Sequence, residues 1–103
     1  MPRRLPSPQK TPPVVLVFAA SDPTSGAGAQ ADILTLAALG CHPVTAITAL
    51  TVQDSVGVRA LNPVAADQVA AQAHAVLADM PIAAFKLGVL GSADNARVAA
   101  DIA

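Results

Sequence analysis

The chain has 103 residues, 53% of them hydrophobic and 13% charged, with a formal net charge of −1. That is the length of one small domain, able to bury about two-thirds of its unfolded surface, and its composition excludes intrinsic disorder as a whole. There is no basic stripe for nucleic acid and no run near the ~18 apolar residues of a membrane span, while the single cysteine, Cys41, excludes an internal disulfide and fits a reducing cytoplasm.

Arg3, Arg4 and Lys10 precede the apolar run Val14 to Ala20, in the manner of a secretory signal. Four prolines from Pro6 to Pro13 argue against one, and about seven apolar residues is the short limit for a signal's core. Residues 1–13 therefore read as a disordered proline-rich leader, and residues 14–103 as the folded portion. The first strand is predicted over Val14–Ala19, a β-branched stretch suited to burial on both faces of a parallel sheet. Residues 20–26 form a loop, with Asp22-Pro23 as turn starter. A helix follows over Ala27–Leu39 and stops at Gly40. After His42-Pro43, Val44–Leu50 is a second strand, rich in Val, Ile and Thr. A polar segment, Gln53 to Gly57, leads to a short extended piece, Val58–Leu61, ending at Asn62-Pro63.

The second helix is predicted over about Ala66–Ala78, with Val69, Ala73, Val76 and Leu77 on one face. Ile82–Leu87 is the third strand, and Ser92 or Asp94 caps a third helix from about Asn95 onward. Alternating strands and helices predict an α/β fold with a parallel sheet and right-handed crossovers. The helical pattern through Asp101-Ile102-Ala103 carries no stop signal, which reads as the amino-terminal part of something longer.

Small and polar residues concentrate where the first strand hands over to the first helix, the place where α/β sheets bind small ligands. Gly26-Ala27-Gly28-Ala29-Gln30-Ala31 formally matches a dinucleotide fingerprint, but its first glycine lies well beyond the strand, and the position where an acid is needed falls near Thr48. A phosphate-binding P-loop fails as well, since no Gly-Lys-Ser/Thr follows. What remains is that amides at a helix start can hold an anion or a developing alkoxide. Gln53 is the recognition candidate. Its amide can donate to a ring nitrogen while accepting from an adjacent exocyclic amine, the pairing used to read adenine. Taken without the surrounding motif, it reads first as a solvated loop glutamine. Asp32 suits the start of a helix, and Asp22 is a turn former with Pro23 rather than a base. Lys86 is either a lysine snorkelling from a strand end or half of an ion pair. Cys41 is a small filler, and His42 and His74 lack the spacing of a metal site.

Ala19-Ala20-Ser21-Asp22-Pro23-Thr24-Ser25-Gly26-Ala27-Gly28-Ala29-Gln30-Ala31-Asp32 closely resembles the amino-terminal signature of the hydroxymethylpyrimidine/phosphomethylpyrimidine kinases of thiamine biosynthesis. The resemblance continues, in order, through Leu39-Gly40, Ile47 to Asp54 and Phe85 to Gly91, covering roughly residues 14 to 103. It implies a ribokinase-like three-layer α/β/α fold with a mainly parallel Rossmann-like sheet. The implied reaction is ATP-dependent phosphorylation of 4-amino-5-hydroxymethyl-2-methylpyrimidine and then of its monophosphate. Gln53 falls on the family's substrate-reading glutamine, and the resemblance makes Asp32, Ala20, Ala27, Gly28, Thr51 and Val89 further substrate-binding residues. Ala20 stands where glycine is common, and Val89 where many relatives have Met.

The family's ATP and Mg²⁺ sites and its catalytic acid/base lie in the carboxyl-terminal half, and no residue of this chain corresponds to them. The 103 residues are therefore expected to hold much of the pyrimidine-binding half, without kinase activity and with marginal folding of their own. A cytoplasmic homodimer is the implied setting. A pyridoxal-type kinase of the same superfamily and a non-enzymatic binding fragment are the alternatives.

Overall fold

Seven consecutive buried residues, Val14 to Ala20, make β1 (Val14–Ser21) an inner strand of the sheet. Its side chains alternate between two cores, as the period of a strand requires. Leu16 and Phe18 face one side, where they meet Ala46, Val69, Ala73 and Ala99; Val15, Val17 and Ala19 face the other, against Ala29. Full burial of a side chain such as Phe18, Leu16 or Val17 contributes about 1.5–3 kcal/mol. Aromatics are scarce, so helices of small residues must sit close on the sheet.

The computed structural model describes residues 11–103, so the leader expected over residues 1–13 lies, except for Thr11 to Pro13, outside the described residues. After β1 come α1 (Gly28–Ala38), β2 (His42–Gln53), β3 (Val58–Pro63), α2 (Ala66–Asp79), β4 (Ala84–Leu87) and α3 (Ala93–Ile102). One sheet runs in the order β3-β2-β1-β4. α1 packs on the Val15/Val17 face, and α2 and α3 on the Leu16/Phe18 face, giving three layers.

The sheet is mainly parallel, as the resemblance implies, and departs from the parallel pattern of alternating strands and helices at one strand. β1 is parallel to both β2 and β4, but β3 runs antiparallel to β2, with Leu50 opposite Asn62 and Val52 opposite Ala60. The polar segment before β3 is a tight turn rather than a crossover. The Asp54 N–H donates to the Gly57 carbonyl, while the Asp54 carboxylate accepts from the amides of Val56 and Gly57. Residues 54–57 therefore reverse the chain in place.

Local signals elsewhere hold. Gly40 has φ +83°, and the amides of Gly40 and Cys41 donate to the carbonyls of Ala37 and Leu36, the paired closure that ends a helix at glycine. Ser92 caps α3 by accepting from the Asn95 amide at 3.1 Å. Cys41 is a free, partly buried thiol packed beside Val15 and Val17. Among the described residues no helix is long and apolar enough to cross a membrane.

Candidate functional site

The carboxyl ends of β1 and β2 frame a cavity of about 200 Å³. β1 and its exit supply Ala20, Ser21 and Asp22, and the start of α1 supplies Ala27 and Gly28. Thr51 and Gln53 come from the end of β2, Val58 and Leu61 from β3, and Val89 from the segment after β4. The walls are mostly apolar with a few polar groups, the usual make-up of a small-molecule site. At this volume, below the ~300–1,000 Å³ of pockets for drug-sized ligands, it suits a single ring.

The loop that closes one side is built around Asp22. One carboxylate oxygen accepts from the amide and the hydroxyl of Thr24, each at 2.8 Å; the other accepts from the Ala27 amide at 2.9 Å. These bonds, the Thr24 amide foremost, hold the Asp22 carboxyl below the usual carboxylate range. The Asp22 amide itself donates to Gln30 Oε1, and Gln30 Nε2 donates to the Ser21 hydroxyl. A glutamine in the first turn of α1 thus buttresses the loop from behind. It escapes sequence reasoning because it looks like any solvated helix residue.

The opposite wall is a chain of hydrogen bonds. The Thr51 hydroxyl donates to the Ser21 carbonyl at 2.7 Å, and Gln53 Nε2 donates to Thr51 Oγ1 at 2.6 Å. Gln53 is the last residue of β2 rather than the start of a loop, so its backbone is held by the sheet. Val89 is placed by its carbonyl, which accepts from the buried Thr48 hydroxyl at 2.6 Å.

Six of the residues singled out in the sequence, Ala20, Ala27, Gly28, Thr51, Gln53 and Val89, come together in this cavity. Asp32 does not line it. Its carboxylate meets Lys86 Nζ of β4 at 2.5 Å, which makes Lys86 half of an ion pair. Sequence reasoning also missed Val58 and Leu61. Their signal was the turn at residues 54–57, which folds β3 back beside β2.

A magnesium ion or a nucleoside triphosphate finds no ready-made site among the described residues. None of their His, Cys and Asp side chains gather in threes to hold a metal ion. The Ala27 amide, at the helix start where a phosphate would need it, is taken by the Asp22 carboxylate, whose charge repels an anion. Residues 11–103 offer a ring pocket and a loop whose amides are already taken by its own carboxylate.

A family model described as phosphomethylpyrimidine kinase matches residues 22–103. The hydroxymethylpyrimidine/phosphomethylpyrimidine kinase of Mycobacterium tuberculosis is 46% identical over 96 residues, covering 93% of this chain and 34% of that protein. Among solved structures, phosphomethylpyrimidine kinase from Clostridium difficile superposes with a TM-score of 0.81 at 32% identity, covering 89% of this chain and 39% of that one. The pyridoxal kinase of Staphylococcus aureus in complex with pyridoxal gives a TM-score of 0.80 at 30% identity, covering 90% and 35%. The fold is ribokinase-like, and the chain spans about a third of the length of the curated relatives it matches.

Proposed function

This chain belongs to the phosphomethylpyrimidine kinase family, and we propose that its cavity binds 4-amino-5-hydroxymethyl-2-methylpyrimidine and its monophosphate for ATP-dependent phosphorylation in thiamine biosynthesis. The observation that carries this reading is Gln53. Its amide stands at a cavity of single-ring size, and among the described residues its Oε1 takes part in no hydrogen bond. A 4-aminopyrimidine presents a ring-nitrogen acceptor beside an amine donor, the complement of one amide N–H and one amide oxygen. Ala20, Ala27, Val58, Leu61 and Val89 supply the apolar contact that a methylated ring needs.

The role of these residues is to bind and orient the alcohol and to exclude water from one side of it. ATP supplies the phosphoryl group in this family, and its binding falls to residues outside this set.

A second reading rests on the likeness to the Staphylococcus aureus pyridoxal kinase solved with pyridoxal. A pyridoxal kinase would meet the same walls with a ring lacking the amino group. The two separate in one assay: the intact protein, ATP, magnesium and either alcohol, with products read by mass spectrometry. Phosphorylation of the aminopyrimidine is the expected result. A preference for pyridoxal would move the assignment to the second reading, and transfer to neither would overturn both.

A further inference from the structure

The hydrogen bonds at the Gln53 wall have a fixed polarity. The Ser21 carbonyl oxygen can only accept, so the Thr51 hydroxyl must place its one proton there, along the 2.7 Å contact. Thr51 Oγ1 is then left with lone pairs alone, facing Gln53 at 2.6 Å. Only the NH₂ end of the amide can occupy that position. Turning the amide over would set Oε1 against Oγ1 with no proton between them, unless the hydroxyl gave up its bond to the Ser21 carbonyl.

We infer that Thr51 is a positioning residue that locks the Gln53 amide in one orientation, and so makes the pocket select 4-aminopyrimidines against 4-oxopyrimidines. The inference rests on the aminopyrimidine reading of the cavity. With one N–H committed to Thr51, Gln53 presents its other N–H and the lone pairs of Oε1 in an order that reverses only at the expense of the Thr51–Ser21 bond. A ring-nitrogen acceptor beside an amine donor matches that order. The 4-oxo ring, with N–H beside C=O, has the two reversed and places donor on donor and acceptor on acceptor. A free glutamine would rotate its amide by half a turn and accept either ring; a locked one must first break that bond.

The lock is anchored in the sheet. Ser21 lies beyond an irregularity in the β1–β2 register, where Ala19 pairs with Ile47 but Ser21 pairs with Leu50. The extra residue on β2 comes just before Thr51, in a stretch where Thr48 and Ala49 are fully buried. Selection thus passes from backbone to hydroxyl to amide to ligand.

The test is binding of two probes, 4-amino-5-hydroxymethyl-2-methylpyrimidine and its 4-oxo analogue, measured by calorimetry on the intact protein. Wild type should favour the amino ring by on the order of 10-fold or more, the cost of one mispaired buried edge. Thr51→Val, equal in shape but without the hydroxyl, should bring the ratio to within about threefold, chiefly by improving the oxo analogue, because the amide can now turn. Thr51→Ser should keep the wild-type ratio. An unchanged ratio in Thr51→Val overturns the inference, as does an equal loss of both ligands, which would mark Thr51 as structural. So does loss of the ratio in Thr51→Ser, since packing and not the hydroxyl would then set it. Failure of wild type to bind the amino ring overturns instead the functional reading beneath.

Discussion

A Cβ at position 28 would lie 2.4 Å from the carbonyl oxygen of Ala20, and Gly28 has φ +65°. The start of α1 is thus pressed onto the end of β1 as closely as backbone atoms permit, and the cavity floor exists because of that approach. Gly28→Ala must both strain the backbone and move the helix off the strand, at a cost of about 1–3 kcal/mol. Gly40 has a similar φ of +83° but nothing within 4 Å of its notional Cβ. Gly40→Ala should therefore cost only about 1 kcal/mol, from backbone strain. Denaturant unfolding of the intact protein should rank Gly28→Ala as the more damaging change, and only that one should also weaken aminopyrimidine binding.

The Asp32–Lys86 pair is lopsided. The Asp32 side chain is 14% exposed and the Lys86 side chain 49%, and Asp32 Oδ2 is buried without a partner. A half-exposed salt bridge is worth little in itself, but removing its cation strands a mostly buried carboxylate. Lys86→Met is expected to destabilise by about 1–3 kcal/mol. Asp32→Asn leaves a lysine that reaches water and should cost under about 1 kcal/mol. Equal effects in a denaturant titration would contradict this asymmetry. Because Asp32 does not line the cavity, Asp32→Asn should leave aminopyrimidine affinity within about twofold.

Acid should open the site from both sides. The Asp22 carboxyl is held below its ordinary range by the Thr24 and Ala27 hydrogen bonds, and the Asp54 carboxyl at the β2–β3 turn by Arg59 foremost. A lowered folded-state value means the stabilisation is complete above the unfolded carboxylate value of about 3.9 and is lost as pH falls through the lower folded value. Ligand affinity is thus expected to be insensitive to these two groups at neutral pH and to fall only below about pH 4. Asp22→Asn should lose affinity at every pH, since its amide NH₂ would face the Ala27 N–H, and should show a shallower acid limb. A limb of unchanged steepness in that variant would remove Asp22 from the linkage.

Much of this arrangement was legible in the sequence, for reasons that differ by element. An unbroken apolar run such as Val14 to Phe18, with β-branched valines at 14, 15 and 17, belongs inside a sheet, and Gly40 and Ser92 carry local stop and start chemistry that tertiary packing did not override. The β2–β3 hairpin was not legible. Gln53 is polar, so β2 appeared to end before it, and Asp54-Ser55-Val56-Gly57 read as a loop rather than a reversal. Val58 and Leu61 were lost from the site with it. Pairings between a helix and a distant strand leave no local trace either, as with Asp32 of α1 and Lys86 of β4, 54 positions apart. In the sequence Asn95 marks only the start of the third helix, yet it is fully buried and its Nδ2 reaches carbonyls of Thr48, Val64 and Leu90, from three separate segments.

Gln53→Glu tests the recognition residue itself with almost no change in size. At neutral pH the carboxylate replaces the NH₂ that faces both Thr51 Oγ1 and the ring nitrogen, so the ring contact becomes repulsive and the Thr51 hydroxyl can meet the carboxylate only by leaving the Ser21 carbonyl. Losing such a pair with a buried group left unsatisfied costs on the order of 1–3 kcal/mol, or roughly 5- to 150-fold in kcat/KM. As pH falls toward the ordinary glutamate range near about 4.3, a proton enters between the carboxyl and the ring nitrogen, and the contact becomes attractive again whichever of the two carries it. The ratio of wild-type to variant kcat/KM should therefore narrow from pH 7 toward pH 5, the more so if Thr51 repulsion raises the carboxyl's affinity for the proton. A glutamine that merely faces solvent would give a ratio near one at both pH values. Steady-state kinetics on the two intact proteins decide between these outcomes, and a flat ratio near one would remove Gln53 from the site and leave the cavity without its reader of the aminopyrimidine edge.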